Sequence, residues 1–164
     1  MTPQDPTLRL RLESRAKGGA HWFYWIAALS FVTSIISLTG SHWGFFVSLG
    51  ATQLVDAVAN GLAPKVGGAP KAVALVFDAV AAGLFALVGY FAAKRQPWAF
   101  VAGMALYLLD ALVFVLVAHW LGLAFHAFVL YSIFGGYKAC TALAALERES
   151  APAAGAPARE AAGA

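Results

Sequence analysis

Charge is scarce in this chain of 164 residues: only 12% of them are Asp, Glu, Lys or Arg, while 61% are hydrophobic. Soluble domains carry about 25% charged and about 45–50% apolar residues, so the shortage argues for a lipid-facing protein. Cysteine is nearly absent. With Cys140 alone there is no internal disulfide framework and no multi-cysteine metal site. Catalytic signatures are lacking as well: no His-Glu-x-x-His pair occurs, and no Gly-x-Ser-x-Gly elbow surrounds any serine. A Ser132–His126 pair is the nearest approach to a hydrolytic arrangement. The net charge of +3 is modest, and implies no nucleic-acid partner. The expectation is a non-enzymatic protein with no cofactor.

Long apolar runs, by contrast, are plentiful. Spans are expected at about 21–40, 72–93, 98–119 and 121–145, each long enough to cross a bilayer core of about 30 Å. Trp22, Tyr24 and Trp25 open the first, where amphipathic rings favour the membrane boundary. That run is too long for the core of a cleaved signal and reads as an uncleaved anchor. Residues 1–20 form a basic N-terminal segment in which Leu8, Leu10 and Leu12 alternate with arginines, the pattern of a topogenic flank or a short interfacial piece. Residues 147–164, rich in Ala, Pro and Gly, are expected to be disordered.

Residues 43–62 need a separate reading. Ser48, Thr52, Asp56 and Asn60 recur at every fourth position among apolar residues, an amphipathic helical period. The helix can lie in the interface, re-enter the bilayer, or span it. The Lys and Arg residues discriminate. With four spans and the N-terminus inside, Arg9, Arg11, Arg15, Lys17, Lys94, Arg95, Lys138, Arg148 and Arg159 are cytoplasmic, nine of the eleven. A fifth span divides them six to five, so the positive-inside rule favours four. The fold expected is all-α: a polytopic four-transmembrane-helix bundle with an extra amphipathic interfacial or re-entrant helix. Both termini are then cytoplasmic, and the alanine-rich, cysteine-poor composition suits a bacterial inner membrane.

Ionisable residues inside a bilayer are functional candidates by default. Asp78 and Asp110 fall in the second and third spans at similar depth toward the outer side, so the two are expected to face each other. Asp56 joins them from the amphipathic segment, and His42, His119 and His126 gather on the same side. Asp78, Asp110, His126 and Asp56 compose a candidate ion or proton pathway, histidine and buried carboxylates being suited to proton relay. His42, His119 and His126 are metal candidates, imidazole being a common ligand. Haem fits least, since it requires histidines facing across the bundle. The plainer alternative is that the aspartates accept structural hydrogen bonds between helices. Small residues four apart (Ala79 and Gly83, Ala82 and Ala86, Gly136 with Cys140 and Ala144) point to close helix packing, within the chain or against itself or another membrane protein. A self-assembling or partner-binding bundle is therefore the leading expectation, with a proton- or cation-linked transporter or channel as the alternative and a metal or redox protein third.

Overall fold

The computed structural model describes residues 6–38 and 49–150. They form five helices: α1 Pro6–Leu38, α2 Gly50–Val66, α3 Ala69–Ala93, α4 Pro97–Leu116 and α5 Trp120–Ser150. Four of these, all but α2, are long and apolar enough to cross a membrane. Each long helix buries one face at helical spacing. On α1 the buried positions include Ala16, Ala20, Phe23, Ile26, Ala27, Ser30 and Ser34; on α4 they include Ala99, Phe100, Gly103, Tyr107, Asp110 and Phe114. The opposite faces expose Val76, Val80, Leu84 and Leu87 on α3, and Leu108, Leu109 and Leu112 on α4. Large apolar side chains thus cover the outside, while the buried set mixes small, aromatic and polar residues with aliphatic ones such as Ile26, Val129, Ile133 and Leu143.

The four long helices close into a ring in which α1 packs on α3 and α5, and α4 packs on the same two. Small residues bring them together. A Cβ on Gly19 would stand 2.6 Å from the Gly136 Cα, so α1 and α5 touch backbone to backbone. Gly103 leaves room for the Phe23 ring, which a Cβ there would meet at 2.3 Å. The α3–α4 and α4–α5 turns close alike. Arg95 and Ala118 take left-handed backbone conformations (φ 60° and 51°), and the next residue's N–H returns to the carbonyl of Phe91 or Phe114.

Two boundaries differ from the sequence expectation. The basic segment is not separate from the first span, since one continuous helix runs from Pro6, and Arg9 donates a hydrogen bond to Ser150 at the end of α5 (3.1 Å). Helix α5 likewise continues through residues 147–150, where Glu147 pairs with Arg95 at 2.7 Å. Both extensions exist because the two helix ends pack against each other and against the α3–α4 turn. The start of α1, that turn and the end of α5 therefore share one end of the bundle. Residues 151–164 of the expected tail lie outside the described region.

Helix α2 begins at Gly50 and reaches Val66; residues 43–48 of the expected segment are outside the described region. Its polarity is inverted relative to a surface helix in water. Leu54, Val58, Leu62 and Val66 are exposed, whereas Thr52 is buried and Asp56 half-buried. It packs chiefly on α3, and its N-terminus enters the bundle.

Candidate functional site

The first four N–H groups of a helix have no partner within it, and burying them without acceptors is costly. Helix α2 begins in such a place. The Leu49 N–H donates to the Ser30 hydroxyl of α1 at 3.1 Å. The Gly50 and Ala51 N–H groups donate to the two carboxylate oxygens of Asp110 on α4, at 2.8 and 2.9 Å. Asp110 is thus a capping residue supplied by another helix, its carboxyl oxygens meeting the positive end of the α2 dipole. Thr52 adds a bond from its hydroxyl to the Leu49 carbonyl at 2.8 Å.

From α5, His126 completes the arrangement. Its Nε2 lies 3.0 Å from Asp110 Oδ2, and its Nδ1 lies 2.9 Å from the Gly122 carbonyl. A carbonyl only accepts, so Nδ1 carries a hydrogen. One further proton then lies between Nε2 and Oδ2, giving either an imidazolium–carboxylate pair or a neutral pair. The ring is nearly parallel to Tyr107, with centroids 4.3 Å apart, and 4.6 Å from that of Phe114. His126 is 1% exposed. Two glycines permit this density: a Cβ on Gly50 would meet Phe114 at 2.8 Å, and one on Gly122 would meet it at 2.4 Å.

The predicted residues therefore separate. Asp110 and His126 come together on the α2 N-terminus, whereas Asp78 lies elsewhere, against Ser34 of α1 and Asp56 of α2. Asp78 and Asp110 do not face each other, because the buried face of α3 turns Asp78 toward α1 and α2. His119 caps α5, its Nδ1 accepting the Gly122 N–H at 3.1 Å. His42 lies outside the described residues. Among those described, no group of three or more His, Cys, Asp or Glu side chains is placed to hold a metal ion. Ser132 donates to the Phe128 carbonyl one turn back, and the Cys140 thiol to the Arg95 carbonyl at 3.3 Å, each a local structural bond.

Sequence reasoning missed Ser30, Gly50, Gly122, Tyr107 and Phe114. Ser30 and Ser34, one turn apart in an otherwise apolar run, were the available signal for the first. Nothing local marks the others, which matter through contacts between distant helices. No family model matches this chain, and comparisons with curated proteins and with solved structures likewise find none that is similar.

Proposed function

We propose that this chain is an integral membrane protein of four spans in which α2 is a re-entrant helix, and that it acts without catalysis, by assembling with itself or with another membrane protein. The observation that carries the reading is the fate of Asp110 and His126. These costly intramembrane groups are engaged in fastening the α2 N-terminus, which is a structural task. The depth of that N-terminus supports re-entry: Ser30 lies about 12 Å before the end of α1, and Asp110 about 9 Å before the end of α4, at 1.5 Å per residue. Residues of α3 such as Ala79 and Gly83 lie on its exposed face, with nothing within 4 Å of a Cβ added at Gly83, which suits close approach by another helix.

The distribution of basic residues favours an orientation with both termini in the cytoplasm, and the composition suits a bacterial inner membrane. In a Cys140→Ala background, an impermeant maleimide added to intact cells is expected to label Gly68→Cys and not Gln96→Cys. The reverse pattern would invert the topology. In nanodiscs, mass measurement is expected to show a dimer or larger assembly, or a bound partner protein; a strict monomer with no companion would remove the assembly role.

Asp78 favours a second reading, a small proton- or cation-linked transporter or channel, because it is a completely buried carboxyl beside a second one, Asp56. That reading expects pH- or cation-dependent flux in liposomes, lost in Asp78→Asn and in Asp110→Asn. Normal flux in both variants excludes it.

A further inference from the structure

Arg15 of α1 lays its side chain across α5. A Cβ added at Gly135 would stand 3.3 Å from its Nε and 3.4 Å from its Nη2, so the missing side chain there lets the guanidinium rest on the α5 backbone. Arg15 is exposed, and among the described residues no ion pair or hydrogen bond engages its guanidinium. Its depth makes this costly. The Cys140 thiol reaches the Arg95 carbonyl, which sets residue 140 of α5 level with the α3–α4 turn. Gly135 stands five residues nearer the middle of the bundle, about 7.5 Å at 1.5 Å per residue. A second cation turns the same way: the Lys138 Nζ lies 5.7 Å from the centre of the Phe134 ring, one turn deeper on α5. Long basic side chains at a membrane boundary ordinarily extend toward water. These two extend inward, where an unpaired cation is unfavourable.

We propose that this outer face of α5, with Arg15 laid over it, holds one anionic phospholipid from the leaflet nearest the termini. The phosphate meets Arg15 and Lys138, and an acyl chain runs along Tyr131 and Phe128. Charge complementarity selects the headgroup. The two cations supply what an anionic lipid lacks, whereas a zwitterionic lipid brings its own ammonium, which they repel. A guanidinium also presents paired N–H donors that match phosphate oxygens. The surface beyond the cations selects a lipid over a soluble anion: Tyr131 and Phe128 are exposed there, and the Phe128 ring is held edge-on by Trp22 of α1 at 5.5 Å. The inference rests on the membrane-bundle reading, but neither on self-assembly nor on which side of the membrane the termini occupy.

The test is native mass spectrometry of the full chain in a neutral detergent, titrated with phosphatidylglycerol or with phosphatidylcholine of the same acyl chains. One phosphatidylglycerol per chain is expected to be retained in preference to phosphatidylcholine. Arg15→Gln and Lys138→Gln are each expected to weaken that binding about fivefold, and together about 25-fold, the effect of one basic residue at an anionic surface being taken for each. Gly135→Leu keeps every charge but displaces the guanidinium from α5, and should weaken binding as Arg15→Gln does. Lys71→Gln, at the other end of the bundle, should change nothing. Should Arg15→Gln fail to fold by circular dichroism, Lys138→Gln, at an exposed position, carries the same expectation. Equal retention of the two lipids overturns the site, as does an equal loss in Lys71→Gln, which would mark diffuse charge attraction. Displacement by soluble glycerol phosphate at the lipid's own concentration overturns it too. Maleimide labelling reports topology independently, so a chain with the expected labelling and no preference for anionic lipid loses the lipid site and keeps the membrane reading.

Discussion

Replacing Asp110 with alanine is expected to cost about 3–5 kcal/mol, the range for breaking a buried charged pair by removing one partner, and to free the N-terminus of α2. Two backbone N–H groups and the His126 ring would lose their acceptor in a place without water. The measurement is hydrogen exchange of the Gly50 and Ala51 amides in detergent or nanodiscs, with the thermal midpoint as a second readout. Both amides should be protected in the wild type and exchange rapidly in the variant, while amides in the middle of α3 stay protected. Asp110→Asn makes a sharper comparison. It preserves size but turns one acceptor into a donor, which must then face the N–H of Gly50 or Ala51. Asparagine is therefore expected to behave much more like alanine than like aspartate. Wild-type amide protection in both variants would remove the capping role, and with it the main support for a structural use of this pair.

A second large effect is expected where two neighbouring glycines differ in sign. In helix interiors alanine is favoured over glycine by about 1 kcal/mol, and Gly18, with nothing within 4 Å of an added Cβ, should realise that gain. Gly18→Ala is expected to raise the thermal midpoint. At Gly19 the added carbon would lie 2.6 Å from the Gly136 Cα, a backbone atom that no rotamer change can move aside. Overpacking of this kind costs about 1–3 kcal/mol, outweighing the propensity gain, so Gly19→Ala should lower the midpoint and Gly19→Ile should prevent stable packing of α1 on α5. Equal responses at positions 18 and 19 would show that the α1–α5 contact is looser than described.

Much of the architecture follows from one-dimensional signals. The apolar runs identify the four long helices, because crossing an apolar layer demands length and composition that a sequence displays directly. The short polar turn at Lys94, Arg95 and Pro97 marks the α3–α4 reversal for a similar local reason. The four-residue period identifies a helix there; of its polar stripe Thr52 is buried and Asp56 half-buried, while Asn60 is exposed. The extents of α1 and α5 were less legible: charged residues at their outer ends look like flanks, yet those ends support each other through Arg9 with Ser150 and Arg95 with Glu147.

Scarcity of charge makes each buried ionisable residue conspicuous. Composition and periodicity alone marked Asp56, Asp78, Asp110 and His126, since any ionisable group in an apolar helix stands out without knowledge of its neighbours. Which of them meet was a tertiary matter. Depth along a helix follows from counting residues, but the direction a side chain faces depends on how the helix is rotated against its neighbours. That rotation is set by the sum of contacts such as Gly19 on Gly136 and Phe23 in the hollow at Gly103. It joined Asp110 to His126 and to the start of α2, and it left Asp78 with Asp56 and Ser34.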